Sequence, residues 1–235
     1  MITPSVLIVF CREPVPGQTK TRLITHLCAR DSAALAEAFV VDTLAKASSI
    51  APRKLVIAGT ADGPVERSSF FRAMARRFRA TLMDQGRGSL GVRMERALAP
   101  FARDGALLIG TDLPSLPLQA LRDLCNLLSR RRLVFGPSLD GGYYAIGVRG
   151  SMPPVFDGIR WGSMRVLEST LQRVERAGLT AALGPVWHDV DRWADVMLLC
   201  EYLRHLESDP KRHDAHSCPA TARVLRRLGL LPRRR

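Results

Sequence analysis

Lys20, Asp112 and Asp191 are the residues of this chain whose types and settings could do chemistry on phosphates. Val6 to Cys11 is an apolar run, and it stops abruptly in the loop Arg12-Glu-Pro-Val-Pro-Gly-Gln-Thr-Lys-Thr-Arg22. A buried strand, a stiff Pro- and Gly-punctuated turn and then cations at a helix start make a site for a polyanion, most often the phosphates of a nucleotide. The cations here are Arg12, Lys20 and Arg22. Four of the 35 basic residues in the chain are lysines, and one of the four sits in this loop.

Asp112 follows a second apolar run, Ala106-Leu-Leu-Ile-Gly110. It stands where an open α/β sheet places its ligands, beyond the carboxyl end of a strand. A hard cation such as Mg²⁺ takes such an oxygen together with phosphates and waters, although Asp112 also suits a turn cap before Pro114. In Trp187-His-Asp-Val-Asp-Arg-Trp193, Asp189 and Asp191 are expected to point to opposite faces, with Asp191 the one that meets the metal. A helix cap is the other reading of Asp191. Asp140-Gly141-Gly142 reads as a hairpin turn. Gly136-Pro137 before it and Tyr143-Tyr144 after it suggest, as an equal alternative, close backbone approach to a ligand.

Several patterns mislead. Gly86-Arg-Gly-Ser-Leu-Gly91 matches a dinucleotide fingerprint but follows the third strand, whereas that fingerprint belongs after the first. Gly17-Gln-Thr-Lys-Thr21 lacks the glycine before the lysine that a P-loop needs. His213, His216 and Cys218 have no second ligand pair to complete a zinc site. No Gly-x-Ser-x-Gly elbow occurs, so nucleophilic catalysis by the protein is not indicated.

These residues need elements to position them, and apolar runs alternate with amphipathic ones along most of the chain. Strands are expected at 5–11, 54–59, 80–83, 106–110, 133–135 and 143–148. Helices are expected at 31–50 (capped by Asp31 or Ser32), 66–78, 90–102, 117–131, 164–177 and 192–207. Apolar strands separated by helices predict an α/β fold whose mostly parallel mixed sheet is covered on both faces. One domain is expected over residues 1–208. A basic tail follows at 209–235, with a short helix at 220–228.

The net charge of +13 looks like a nucleic-acid signal, but the tail alone carries eight Lys or Arg against two Asp. Aromatics are 6% and are not interleaved with the basic runs, so no base-stacking platform appears. The basic faces read as solvated, with a weak nucleic-acid (RNA) contact or membrane-surface binding through the tail as the sharper alternative. No apolar run approaches the length of a membrane span. Five cysteines, odd in number and widely spaced, suit free thiols in a cytoplasmic protein.

In order, these segments resemble those of the bacterial 2-phospholactate guanylyltransferase-like proteins. More distantly they resemble the molybdenum-cofactor guanylyltransferases, within the nucleotide-diphospho-sugar transferase (GT-A-like) superfamily. The resemblance covers roughly residues 5–200. It rests on Pro14 to Leu23; on Gln85, Gly86, Leu90, Gly91, Arg93 and Met94; on Gly110 to Leu116; on Gly136 to Tyr144; on Phe156 to Gly162; and on Asp189 to Asp191. Arg12 stands where the family usually has Lys, Leu113 where Cys is common, and Trp-Gly-Ser-Met where Trp-Gly-Thr-Ser is usual.

The resemblance implies a three-layer α/β/α, Rossmann-like GT-A fold. It implies a nucleotide site at Arg12, Pro16, Gly17, Lys20, Arg22, Gln85, Gly86, Leu90 and Gly91, with Gln85 and Gly91 at the base. It also implies Mg²⁺ or Mn²⁺ on Asp112 and Asp191, Lys20 and Asp112 as catalytic residues, and an acceptor site at Asp140, Gly141, Gly142 and Tyr143. The expected reaction joins a nucleoside monophosphate from a nucleoside triphosphate to a phosphorylated small-molecule acceptor, releasing pyrophosphate. Glycosyl transfer from a nucleotide sugar is the alternative on the same fold, and a basic nucleic-acid-binding protein is the third reading. A homodimer is left open.

Overall fold

The computed structural model of the protein describes residues 5–208 and 218–232. Seven strands form one sheet: β1 (Val6–Arg12), β2 (Lys54–Thr60), β3 (Thr81–Asp84), β4 (Ala106–Gly110), β5 (Leu133–Pro137), β6 (Tyr143–Val148) and β7 (Ala181–Leu183). Their order across the sheet is β3-β2-β1-β4-β6-β5-β7. β6 runs antiparallel to β4 and β5, and the other pairings are parallel. The expected mostly parallel mixed sheet is therefore present.

Among the described residues the α-helices are α1 (Ala29–Ser49), α2 (Ser69–Phe78), α3 (Leu90–Leu98), α4 (Leu118–Arg130), α5 (Val166–Arg176), α6 (Trp193–Ser208) and α7 (Pro219–Arg227). Side chains alternate across a strand, so the central strands feed two cores. Leu7, Val9 and Ile57 pack on one face with α1, α2 and α4. Val6, Ile8 and Val56 pack on the other with α3 and α5. A third core lies outside α1, where Leu35 and Phe39 meet Val196 and Leu199 of α6 and Leu225 of α7.

Local chemistry explains the departures from the expected elements. Pro100 has no N–H to donate, and the helix expected over 90–102 tightens after Leu98 into a 3₁₀ segment at Ala99–Asp104. Cys28, rather than Asp31 or Ser32, caps α1, its Sγ accepting from the Asp31 N–H at 3.4 Å. Ser32 instead donates to the Lys20 carbonyl at 2.8 Å, which ties α1 to the cationic loop. β7 was not expected; its Ala-Ala-Leu has little β-propensity and forms through pairing with β5.

The expected helix at 220–228 is α7, and it is packed into the fold. Asp42, buried inside α1, accepts from the Ala220 and Thr221 N–H groups at 3.0 and 2.8 Å and from the Thr221 hydroxyl at 2.6 Å. Residues 209–217 and 233–235, with the expected boundary at 208/209, His213, His216 and the terminal arginines, lie outside the described residues.

Candidate functional site

Strand order reverses between β1 and β4, since β1 continues to β2 on one side and β4 to β6 on the other. Open α/β sheets hold ligands beyond the carboxyl ends of the strands at such a point. A cleft of about 560 Å³ opens there. Its floor is Phe10 and Cys11 at the end of β1, Gly110 at the end of β4 and Tyr143 to Ile146 of β6. Because β6 runs antiparallel, its first residues reach the same edge as the last residues of β1 and β4.

Three segments distant in sequence converge in the cleft. The loop after β1 folds back on itself, with Thr19 Oγ1 donating to the Glu13 carbonyl at 3.1 Å. This brings Lys20 inward in the left-handed conformation, φ 49°. The chain after β7 runs beside β5, with Leu139 N donating to Trp187 O at 3.0 Å, and reaches β4, where Val190 N donates to Asp112 O at 2.8 Å. Lys20 Nζ then lies 2.6 Å from Asp112 Oδ1 and 2.6 Å from Asp191 Oδ1. It also donates to Val190 O at 2.8 Å. Burial draws the Lys20 ammonium down, but the two carboxylates outweigh it and hold its pKa above the ordinary value. Burial raises Asp191, yet Lys20, Arg22 and Arg192 more than offset that and hold it low. Arg22 stands 3.6 Å from Asp191 Oδ2.

Asp189 and Asp191 both line the cleft, contrary to the expectation of opposite faces. Residues two apart on extended backbone share a side. It is Val190, fully buried in the third core, that points the other way. Asp189 accepts from Ser138 Oγ at 2.5 Å. Burial, together with Asp112, Asp140 and Asp191, pushes its carboxyl up to about 7 against the Ser138 hydrogen bond.

Gln85 is almost wholly buried. Its amide donates to Cys11 O at 2.9 Å and Ala58 O at 2.7 Å. Its oxygen accepts from Thr60 Oγ1 at 2.7 Å and from Arg93. Those bonds occupy the full capacity of a carboxamide, so Gln85 meets a ligand through its side chain only by giving one up. Gly91 lies outside the cleft lining; a Cβ there would sit 2.6 Å from the Trp161 ring. Pro16, Gly17, Gly86, Gly141 and Gly142 also lie outside it, whereas Arg12, Arg22, Leu90, Asp140 and Tyr143 line it. Asp140-Gly-Gly is a hairpin turn, with Gly142 N donating to Asp140 Oδ1 at 2.9 Å. Gly141 takes φ +85°, and a Cβ there would strike the Met164 carbonyl at 2.0 Å. Tyr144 spends its hydroxyl on Pro185 O at 2.9 Å.

Sequence reasoning missed Arg93 as a cleft residue. Its guanidinium lies over the Phe10 ring and donates to Thr60 Oγ1 at 2.9 Å. Burial and the neighbouring Arg12 and Arg96 disfavour its charged form, a tension that an anion beside them would relieve. The motif that carried Gln85 and Gly91 contains Arg93 too, and that was the signal available. The cleft thus carries acids at Asp112, Asp140, Asp189 and Asp191, with Arg22 among them beside Asp191, and a separate basic cluster at Arg12 and Arg93. Cys11 is no nucleophile, since burial and Asp112 push its thiol up to about 12.

Among the described residues no helix is long and apolar enough to cross a membrane.

The sheet order and the cleft at its switch point define the class: this is the fold of the nucleotide-diphospho-sugar transferases. A provisionally named nucleotide-diphospho-sugar transferase from Desulfovibrio desulfuricans G20 superposes with a TM-score of 0.79 at 28% identity, covering 95% of this chain and 96% of its own. A cytidylyltransferase from Leptospira borgpetersenii serovar Hardjo-bovis gives 0.55 at 13% identity, covering 98% of each chain. The inositol-1-phosphate CTP transferase of T. maritima gives 0.53 at 12%, covering 82% and 91%. These last two share the fold. The chain itself belongs to the family described as uncharacterized protein conserved in bacteria (DUF2064), whose profile matches residues 40–163. No curated protein matches the sequence.

Proposed function

We propose that the protein is a nucleotidyltransferase of the 2-phospholactate guanylyltransferase-like kind, joining a nucleoside monophosphate from a nucleoside triphosphate to a phosphorylated small-molecule acceptor. The observation that carries this reading is the meeting of Lys20, Asp112 and Asp191 at the sheet's switch point, with Arg22 beside Asp191 and Arg12 and Arg93 lining the same cleft. The name of the Desulfovibrio protein, a transferase of the same superfamily, supports it. In the proposed reaction an oxygen of the acceptor phosphate attacks the α-phosphorus, the bond to the β-phosphate breaks, and pyrophosphate leaves. The chain's own work is to hold these groups in line and to neutralise charge. Lys20, Arg12 and Arg22 bind the triphosphate and stabilise the leaving pyrophosphate. Arg93 and Leu90 lie toward the nucleoside. Asp140 and Tyr143 face the acceptor.

Asp112 and Asp191 fit a divalent cation. Both are half-exposed to the cleft, 48% and 38%, and both already turn an oxygen toward one cationic centre. Two carboxylates leave the remaining positions to phosphate oxygens and water, as Mg²⁺ prefers. Such an ion, when bound, polarises the α-phosphate oxygen. None of the five cysteines is in a disulfide, which suits a reducing cytoplasm.

The test is thermal shift with the four nucleoside triphosphates and several nucleotide sugars, each with and without Mg²⁺ or Mn²⁺. A ligand at ~100 times its dissociation constant stabilises by ~2.7 kcal/mol. A metal-dependent shift with one triphosphate supports the reading and identifies the base. A shift confined to a nucleotide sugar replaces it with glycosyl transfer, against which the single acid of Thr111-Asp112-Leu113 already argues.

A further inference from the structure

Lys20 is saturated where it stands. Asp112 Oδ1 and Asp191 Oδ1 lie 2.6 Å from its Nζ, and Val190 O lies 2.8 Å away. These are as many acceptors as an ammonium has protons. Its side chain is only 7% exposed, and the Phe39 ring stacks beneath it, 5.4 Å from Nζ to the centroid. In this arrangement Lys20 has nothing left to offer a phosphate. It also occupies the two Oδ1 atoms through which Asp112 and Asp191 converge, while Arg22 lies 3.6 Å from Asp191 Oδ2, so an ion bridging the two carboxylates at that point must displace the ammonium. Gripping a phosphate and freeing the carboxylates are therefore one movement.

The backbone is fixed against that movement. The Lys20 carbonyl accepts from Ser32 Oγ at 2.8 Å and from Leu23 N at 2.9 Å. Those bonds anchor the residue's carbonyl to α1 and to the turn that follows, so the side chain is the part of Lys20 that these ties leave free.

We propose that Lys20 is an internal cation that closes the Asp112–Asp191 pair in the ligand-free protein, and that a divalent cation gains the pair when a polyphosphate draws the ammonium away. This rests on the nucleotidyl-transfer reading and adds coupling to it. Metal and polyphosphate then bind cooperatively, each raising affinity for the other by the same factor. The bare site keeps little affinity for free divalent metal.

The test reads metal binding in the intact protein without turnover. Free Mn²⁺ is titrated by electron paramagnetic resonance into the wild type, Lys20→Met and Lys20→Gln, with no nucleotide present. Removing the ammonium is expected to tighten Mn²⁺ binding by about tenfold or more in both variants. Asp112→Asn added to Lys20→Met is expected to cancel the gain, which places the ion on the pair. Unchanged Mn²⁺ affinity in both variants, each folded by circular dichroism, overturns the proposal. In the wild type, inorganic tripolyphosphate is expected to raise the melting temperature more with Mg²⁺ than without; a shift indifferent to Mg²⁺, or none, also overturns it. Cooperative tripolyphosphate binding with no response to any nucleoside triphosphate would instead remove nucleotidyl transfer and leave the interlock standing.

Discussion

Asp189→Asn is expected to make the protein more stable above neutral pH. Asp189 is half-buried in the cleft wall, and Asp112, Asp140 and Asp191 add to the desolvation penalty on its charge. Its carboxyl rises from an ordinary 3.8 to about 7, which at 1.36 kcal/mol per pH unit corresponds to about 4 kcal/mol as an upper bound. The sign follows from proton counting. Between roughly pH 4 and pH 7 the folded protein keeps this proton while the unfolded chain has lost it, so the contribution to stability is full below about 4 and is lost as pH rises through about 7. Asparagine is isosteric, still accepts from Ser138 and does not titrate. The variant and the wild type should therefore melt close together at pH 4.5 and diverge by pH 8. With roughly 2–4 °C per kcal/mol for a chain of this size, the variant should lead by up to about 16 °C at pH 8. Thermal unfolding of both proteins across pH 4.5–8 in metal-free buffer measures this. Parallel curves, with no divergence between pH 5 and 8, would refute the placement of Asp189 as a half-buried, proton-retaining carboxyl.

Three further outcomes are expected. Asp112→Ala should lower nucleotidyl transfer by about 10²-fold or more, read as pyrophosphate release, with its circular dichroism unchanged because Asp112 is half-exposed and Lys20 keeps Asp191; near-normal turnover would count against the catalytic assignment. Gln85→Leu should destabilise by about 2–4 kcal/mol in urea unfolding, since it leaves the Cys11 and Ala58 carbonyls buried without their donor; a midpoint within error of wild type would show that the amide network is dispensable. Gly91→Ala should cost about 1–3 kcal/mol through the clash with Trp161 and Phe156, and a nucleotide affinity that falls while stability holds would restore Gly91 to the base site.

The parts of the site carried by backbone pattern were legible in the sequence. The apolar run to Cys11, the Pro-Gly loop, the run to Gly110 and the acids after it are local signals, and their strands and loops appear where expected. Lys20, Asp112 and Asp191 were each singled out. Their mutual contact was not, because it depends on the segment after β7 crossing to the end of β4, which no local spacing encodes. Gln85 and Gly91 are conspicuous by motif alone, and motif does not separate a residue that reads a ligand from one that supports the wall around it. Gln85 braces β1, β2 and Arg93, and Gly91 makes room for an indole. β7 escaped because three small or apolar residues have no periodicity to detect. The basic character of the last segment hid the apolar stripe of Ala222 and Leu225 that seats α7.

The capping of α7 by Asp42 places a condition on how the chain comes off the ribosome. Asp42 lies in α1, and the groups it binds lie 178 and 179 residues later. Throughout that interval α1 has a carboxylate facing a surface that Leu225 and Ala222 have yet to cover. A carboxylate retains water strongly, so it keeps this flank of α1 wet and discourages premature collapse or sticking to other nascent chains. Once α7 is translated, its two free amides and the Thr221 hydroxyl replace that water in one docking event. Chains interrupted before residue 219 would carry the strands and the cleft-lining residues yet leave Leu35 and Phe39 without the cover of Leu225 and Ala222.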